Sequence, residues 1–148
     1  MKRKMVIGML TMGMVLCGAM TVSAESDGYV ISASHGYGAV EHWEIKTIGM
    51  QDAAKDLGVE FNYKYADGDL QQEVADIENF VEMGTNYIIV GPCNSEGIVP
   101  VIEEAQDKGV AVGTCDIGIE GVDVASFVSS DNYGIGEIAA DYIGTEMN

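Results

Sequence analysis

The sequence predicts a doubly wound α/β fold, in which five parallel strands in the order 2-1-3-4-5 alternate with helices on both faces of the sheet. One junction occurs three times: a helix with an acidic end, then Gly58, Gly84 or Gly109, then an apolar strand. Glycine there is typical of a helix C-cap, because it tolerates the left-handed conformation. The glycines are 26 and 25 residues apart, which is the length of an αβ unit, so parallel strands are expected.

Apolar spacing supports the helices between these strands. In the second helix, Asp69 followed three residues later by Gln72 is typical of a capping box. The apolar positions of that helix recur at intervals of four, three and four residues, which places them on one stripe: Leu70, Val74, Ile77 and Val81. The other two stripes are Val101, Ile102 and Ala105 in the third helix and, less regularly, Trp43, Thr47, Met50, Ala54 and Leu57 in the first.

These signals set the predicted bounds of the elements. Strands are predicted at 29–33, 59–66, 86–91, 110–115 and 124–129. Helices are predicted at 41–57, 70–83, 95–108 and 133–146. The uninterrupted apolar run Ile88-Ile89-Val90 is typical of a strand that is covered on both faces.

The first residues, 1–24, are expected to be a secretory signal peptide. Three basic residues at 2–4 precede an uncharged, mostly apolar run over 5–21, and Ala24 provides the small side chain that signal peptidase needs. A transmembrane anchor is the alternative, although the run is slightly short for a span and a cleavage site follows it. Lipidation of Cys17 is disfavoured, because no small side chain precedes that cysteine.

The remaining residues, 25–148, form one domain-sized unit that is strongly acidic. They contain all twenty-four acidic side chains and four basic ones, a formal charge of −20. Such a surface repels phosphate backbones and anionic lipids, so neither nucleic acid nor a membrane surface is an expected partner. We expect an exported protein, in the periplasm or at the cell surface, that is not inserted in the membrane after cleavage.

Two cysteines remain in that unit, Cys93 and Cys115. An exported protein meets oxidising conditions, so a disulfide between the ends of two neighbouring strands is permitted. Free buried thiols are the alternative, and they are slightly favoured. Neither cysteine has the spacing of a metal site.

The segment Asp67-Gly68-Asp69 superficially resembles a calcium-binding loop. It lacks the later ligands of such a loop, so it is interpreted as a turn before a helix.

Loops at the carboxyl ends of the strands are the places to look for a site, because doubly wound sheets bind ligands there. Aromatic rings of the kind found in these loops can stack on the apolar face of a sugar ring. Hydroxyl, imidazole, amide and carboxylate groups can exchange hydrogen bonds with the sugar hydroxyls, so these loops suit a sugar ligand. The candidate ligand-binding residues are Ser34, His35, Tyr37, His42, Trp43, Asn94, Asp116, Asp131 and Asn132.

Several candidates have a structural alternative. Trp43 could equally be a core residue of the first helix. Asp116 could be a turn residue. Asn94 is expected to cap the third helix, and Asp131 with Asn132 to cap the last one rather than bind a ligand.

A cofactor and an enzymatic site are both disfavoured. Gly36-x-Gly38 after the first strand is a weak hint of a dinucleotide fingerprint, but Glu41 stands where the third small residue belongs and would repel a pyrophosphate. No nucleophile and base stand in a pattern that hydrolases need. The expectation is therefore no catalytic residue, no metal and no cofactor.

The order of these motifs resembles the type I periplasmic binding proteins for simple sugars, the ribose- and galactose-binding family. The resemblance covers residues 25–148, and several segments carry it: His42-Trp43, Gly49 to Val59, Tyr87 to Pro92, Thr114-Cys115-Asp116, Ser129 to Asn132, and Ala139 to Ile143.

The resemblance implies a non-enzymatic solute-binding lobe that serves an ABC-type sugar importer through its permease. It assigns sugar stacking to His42 and Trp43 and acceptance of sugar hydroxyls to Asp116. The ribose-type pattern has an arginine after that aspartate, where this chain has Ile117. The family also has a second lobe, which is expected to be absent from these 148 residues. The alternatives are an exported flavin- or nucleotide-binding enzyme of flavodoxin-like fold and the effector domain of a sugar-responsive regulator.

Overall fold

The computed structural model describes residues 28–38 and 40–147, and the predicted signal peptide lies outside them. The strands are Val30–His35 (β1), Glu60–Tyr65 (β2), Tyr87–Gly91 (β3), Ala111–Cys115 (β4) and Ser126–Val128 (β5). The helices are Glu41–Leu57 (α1), Leu70–Glu82 (α2), Val99–Asp107 (α3) and Asn132–Glu146 (α4).

The five strands form one parallel sheet in the order β2-β1-β3-β4-β5, as predicted. β1 lies between β2 and β3, and its last residue, His35, is in register with Tyr65 on one side and Gly91 on the other. The three strands therefore end at the same edge of the sheet. β1 extends two residues beyond its predicted end, so Ser34 and His35 belong to the strand and not to the loop.

The three junction glycines adopt the conformation that the sequence predicts. Gly58, Gly84 and Gly109 have φ angles of 69°, 81° and 87°. Residues with a Cβ adopt such angles only at a cost, so glycine allows the chain to turn out of each helix and enter the next strand two or three residues after the glycine.

The start of α2 confirms half of the predicted capping box. The Asp69 side chain accepts hydrogen bonds from the backbone N–H groups of Gln71 and Gln72, at 2.8 and 3.2 Å. The Gln72 amide does not return to Asp69 but donates to Asp76 at 2.9 Å. Asp67 and Gly68 form the turn before this cap, with φ angles of 51° and 85°.

The third helix begins four residues later than predicted, at Val99 instead of residue 95. The Asn94 side chain accepts from the N–H groups of Glu96 and Gly97, at 3.2 and 2.8 Å, and holds these residues in a turn. Pro100 has no N–H and fixes its own φ, which suits the first turn of a helix. Asn94 therefore caps a turn that precedes α3 rather than α3 itself.

The face of the sheet that carries α2 and α3 contains the hydrophobic core; we call it the packed face. All three apolar positions predicted for α3 are buried there. The apolar positions predicted for α2 are mostly half-buried, because the side of α2 that faces the sheet is centred on Ile77 and Phe80. The core residues are Ile77, Phe80, Ile88, Val90, Ile98, Val101, Ile102, Ala105, Val110 and Val112.

The opposite face carries α1 and is only partly covered; we call it the open face. Of the stripe predicted for α1, Met50 is half-buried and Leu57 is 62% exposed. A groove of about 530 Å³ lies beside the helix. The strand β3 was predicted to be covered on both faces. The prediction is correct for the packed face, where Ile88 and Val90 are buried, and wrong for the open face, where Ile89 lines the groove. The groove is lined by Lys46, Gly49, Met50, Ala53, Tyr87, Ile89, Gly113, Thr114, Cys115, Asp116, Ser126, Val128, Ser129 and Ser130.

The last two elements, β5 and α4, contribute no buried residue to the packed face or to the open face. The three residues of β5 are exposed, and α4, which lies wholly within the described residues, has no buried residue. Its apolar side chains Ile135, Ile138 and Tyr142 are 57%, 73% and 65% exposed. α4 therefore extends the chain without closing the open face. None of the described helices is long and apolar enough to cross a membrane.

The two cysteines of the described residues are free thiols, so the disulfide is not formed. Cys115 lines the groove of the open face. Cys93 belongs to the packed side, where its backbone N–H donates to the Glu73 carboxyl at 3.0 Å. The thiols are at the ends of neighbouring strands, as predicted, but the sheet lies between them.

Candidate functional site

The carboxyl edge of the sheet brings His42 of α1 and Asp116 of the β4 loop together. His42 Nε2 lies 3.3 Å from Asp116 Oδ2. Lys46, one helical turn after His42, places its Nζ 3.2 Å from Asp116 Oδ1. One carboxylate therefore joins two side chains of α1 to the end of β4. Its side chain is 27% exposed, so it remains accessible from solvent.

The backbone of Asp116 is in an unusual conformation. Its φ is 68°, in the left-handed region, which costs a residue with a Cβ about 1–2 kcal/mol. Its N–H donates to Val128 O at 2.8 Å, which ties the turn to β5. Strained residues persist where the surrounding structure holds them, and they cluster at functional sites. The turn alternative describes the backbone correctly, but it does not account for the convergence of charges on the side chain.

The carboxyl of Asp116 remains charged in this setting. Partial burial pushes its pKa upward, but the contacts with Lys46 and then His42 outweigh burial and hold the pKa below its ordinary value. A carboxylate that keeps its charge accepts hydrogen bonds from hydroxyls with charge-assisted strength. The geometry therefore provides an anionic acceptor beside an imidazole that is 53% exposed.

Trp43 lies beneath this pair and is packed rather than displayed. It is 4% exposed, and its ring lies so close to Gly91 that a Cβ at that position would collide with it. The His35 ring lies 5.2 Å from it, between centroids, and the His42 ring lies edge-on at 5.6 Å. Burial favours the core alternative for Trp43 and leaves His42 as the accessible ring of the pair.

His35 is fully buried, and neither of its ring nitrogens has a hydrogen-bond partner among the described residues. Its ring lies between those of Trp43 and Tyr65. Burial, together with the positive charge of Lys46, lowers the pKa of His35 to about 4, so the imidazole is neutral. It supports the floor of the site without carrying charge.

Within the described residues, the Asp116 carboxylate has polar contacts with His42 and Lys46 and with none of the other predicted residues. Ser34 is fully buried, and its hydroxyl has no hydrogen-bond partner among the described residues. Tyr37 is 42% exposed, and its hydroxyl donates to the Cys93 carbonyl at 3.4 Å.

The two residues predicted before the last helix lie at its start. Asp131 caps α4 by accepting from Gly134 N at 2.9 Å, and Asn132 is the exposed first residue of that helix. The site is thus centred on His42 and Asp116.

Lys46 was not predicted as a site residue. It follows His42 by four residues and Trp43 by three, so the helical period alone places it on the same face of α1 as the predicted pair. The sequence could therefore have identified it as a neighbour of the site. Its contact with Asp116 depends on the packing of α1 against β4, which the sequence does not reveal.

The glycines after β1 serve packing rather than phosphate binding. A Cβ at Gly36 would collide with the backbone of Cys93, and Gly38 N donates to Asp67 Oδ1 at 3.2 Å. An N–H that faces a carboxylate offers nothing to an anion. The geometry therefore gives no support to the dinucleotide alternative.

Comparison with known proteins agrees with this architecture. The periplasmic binding protein domain matches residues 36–148. A D-xylose-binding periplasmic protein of Haemophilus influenzae is 30% identical over 133 residues, which are 88% of this chain and 40% of that protein. A ribose import binding protein of Bacillus subtilis is 30% identical over 67% of this chain and 32% of its own length.

A solved structure shows the same fold. An ABC transporter solute-binding protein from Clostridium phytofermentans with bound β-D-glucose aligns with a TM-score of 0.75 at 26% identity. The alignment covers 80% of this chain and 37% of that protein. The chain thus spans less than half the length of each of these three proteins.

Proposed function

This chain belongs to the periplasmic binding protein domain family, and from that membership we propose that it forms the N-terminal, sugar-binding lobe of an exported solute-binding protein. In this proposal it binds a simple sugar and delivers it to the permease of an ABC-type importer, without catalysing a reaction. The support is that the relatives are, by name, a D-xylose-binding periplasmic protein and a ribose import binding protein, and that the chain has the fold of an ABC transporter solute-binding protein with bound β-D-glucose.

The observation that carries the proposal is the position of Asp116. Its carboxylate is charged, partly exposed and fixed by two neighbours at the edge of the sheet where doubly wound folds bind ligands. A carboxylate accepts hydrogen bonds from two adjacent sugar hydroxyls at once. His42 adds an exposed ring and an N–H or acceptor nitrogen beside it. This combination suits a polyhydroxylated ligand.

The uncovered surfaces suit a protein of two lobes. The groove of the open face and the exposed apolar side chains of α4 are of the kind that a second lobe covers. The relatives are more than twice as long as their matching segment. A sugar enclosed between two lobes loses most of its contact with water, which small ligands need for affinity. We therefore propose that the sugar is held jointly by this lobe and a second one.

Export completes the proposal. Residues 1–24 have the pattern of a signal peptide, and cleavage after Ala24 would deliver the lobe to the periplasm or the cell surface. Mass spectrometry of the secreted chain should then find Glu25 at the N-terminus. An unprocessed Met1 or a lipid on Cys17 would contradict this part of the proposal.

Binding can be tested on the chain itself by NMR. One lobe encloses little of a sugar, so D-xylose, D-ribose and D-glucose should bind at about millimolar levels or weaker. The amide signals of His42 and Asp116 should move first, together with the indole signal of the sole tryptophan, Trp43.

The matched variants are Asp116→Asn at the proposed site and Asp123→Asn in the exposed loop before β5, at the opposite edge of the sheet. Asp116→Asn should weaken binding at least about tenfold, or 1.4 kcal/mol, because a charged acceptor is lost. Asp123→Asn should bind as the parent does. Signal changes that avoid this edge, or equal binding by both variants, would contradict the proposed function.

A further inference from the structure

The ammonium of Lys46 is the enclosed charge beneath the proposed site. Nζ is shielded from solvent and makes no well-directed hydrogen bond within the described part of the chain. It has two neighbours: Asp116 Oδ1 at 3.2 Å and the Trp43 ring, whose centroid lies 4.2 Å away. An ammonium held between a carboxylate and a ring face is fixed in position, although lysine is otherwise a flexible side chain.

The other titratable groups around Asp116 leave Lys46 as its main counter-charge. His35, from β1, is neutral because burial and Lys46 itself lower its pKa to about 4. Cys115, from β4, is a neutral thiol whose pKa is raised by burial. His42, from α1, is half exposed and contacts the other carboxylate oxygen, Oδ2. Lys46 thus engages Oδ1 from the enclosed side, while Oδ2 remains beside the exposed imidazole.

We propose that Lys46 is a positioning and specificity-determining residue of the proposed sugar site: it fixes the Asp116 carboxylate and cancels its charge, so that the site favours neutral sugars over cationic amino sugars. This inference rests on the proposed function. A lone carboxylate would attract any ligand that carries an ammonium group, because opposite charges at contact distance attract strongly in a partly buried site. With Lys46 already in contact, a second cation meets a pair with no net charge, whereas a hydroxyl still finds an acceptor.

The first measurement needs no ligand. In the full chain, the carboxyl signal of Asp116 is followed by ¹³C NMR as the pH falls, for the parent, Lys46→Met and Lys46→Arg. Lys46→Met should raise the pKa of Asp116 above that of the parent, and Lys46→Arg should restore it, since arginine keeps the charge. Lys55→Met, on the exposed face of the same helix, removes an equal charge and should leave the titration unchanged.

The second measurement compares D-glucose with D-glucosamine, which carries an ammonium in place of one hydroxyl. Both are titrated by NMR below neutral pH, where the amine is protonated. The parent should favour glucose. In Lys46→Met the ratio of the two affinities should move at least about tenfold towards glucosamine, while Lys46→Arg and Lys55→Met keep the parent ratio.

The outcomes separate the two proposals. An unchanged Asp116 titration in Lys46→Met, with its amide spectrum still that of a folded chain, would overturn the positioning role. An unchanged affinity ratio would overturn the specificity role. If no sugar moves any signal at this edge in the parent, the proposed function fails and the specificity role fails with it, while the titration still decides whether Lys46 holds Asp116.

Discussion

The packed face and the open face belong to the same five strands, yet they differ in how fully they are covered. On the packed face, α2 and α3 bury ten apolar residues in one continuous cluster. On the open face, α1 buries only Trp43, Thr47 and Ala54 of its own seventeen residues, and a groove of about 530 Å³ lies beside it. Because the strands are shared, the difference must come from what lies on each face. The packed face supplies the stability of the lobe, and the open face has room for a further element.

The proposed site lies where the two faces meet at the carboxyl edge. His42 and Lys46 reach Asp116 from the open side, and the groove ends at the same aspartate. A rigid sheet with one closed face holds the aspartate in place, while the open side leaves it accessible. This division of roles explains why the strained φ of Asp116 is tolerated: β5 and two side chains of α1 hold it from different directions.

The largest expected effect compares a phenylalanine in the core of the packed face with an exposed one in β5. Phe80 is 2% exposed in the core, and Phe127 in β5 is 54% exposed. Phe80→Ala should lower the free energy of unfolding by about 3–5 kcal/mol, because it leaves a cavity in the core. Phe127→Ala should change it by less than about 0.5 kcal/mol. Urea unfolding followed by circular dichroism measures both.

A milder core change protects this test if Phe80→Ala does not fold. Ile102, at 0% exposure, and Ile48, at 56%, can each be shortened to valine. Ile102→Val should cost about 0.5–1.5 kcal/mol and Ile48→Val close to nothing. Similar losses at both positions would contradict the difference in burial between α3 and the exposed side of α1.

A hydroxyl introduced into each face sharpens the comparison. Val112 is 1% exposed on the packed face, and Val128 is 67% exposed beside the groove. Threonine has nearly the shape of valine, so the substitution tests whether water reaches the side chain and does not test the loss of packed volume. Val112→Thr should cost about 1–3 kcal/mol, because a buried hydroxyl lacks a partner. Val128→Thr should cost less than about 0.5 kcal/mol, since water reaches it. Equal costs in urea unfolding would contradict the difference between the faces.

The fold followed from local signals more readily than the site did. The apolar periods lie within single elements and the glycines at 58, 84 and 109 mark the junctions between them, so the alternation of helices with parallel strands could be inferred from their repeat. The difference in coverage between the two faces could not be inferred from the sequence. Ile88 and Ile89 are the same residue type, and they differ only in pointing to opposite faces of the sheet, one into the core and the other into the groove. The prediction of a helix at 133–146 likewise did not indicate that none of the described residues of α4 is buried.

Part of the proposed site could be anticipated from the sequence, because two of its residues stand at positions that lead to one edge of the sheet. Asp116 ends a buried strand and His42 begins a helix, and both positions lead to the carboxyl edge. The burial of Trp43 and Ser34 depends on how closely α1 and the loops approach the sheet. Buried carboxyls such as Glu73 were missed, because a charged residue between apolar positions of α2 is ordinarily interpreted as exposed.

The smallest effect is a pH dependence that distinguishes the two faces by the direction of a pKa shift. Glu73 is fully buried on the packed side, with Oε2 accepting from Cys93 N at 3.0 Å and Oε1 unpartnered within the described residues. Burial raises the pKa of Glu73 above its ordinary value of 4.5, and the hydrogen bonds from Cys93 offset only part of this rise. Asp116, at the open edge, has its pKa lowered instead.

The sign of the Glu73 effect follows from the raised pKa. The neutral acid is favoured in the folded chain, so its contribution to stability is fully present below pH 4.5 and is lost as the pH rises through the raised pKa. Glu73→Gln retains an oxygen for Cys93 N without the charge, so it should be more stable than the parent at pH 7 and lose this advantage near pH 4. Glu78→Gln, on the exposed side of the same helix, should keep the pH profile of the parent. Thermal unfolding between pH 4 and 8 decides it: parallel profiles for Glu73→Gln and Glu78→Gln would mean that the packed face admits enough water to solvate a carboxylate.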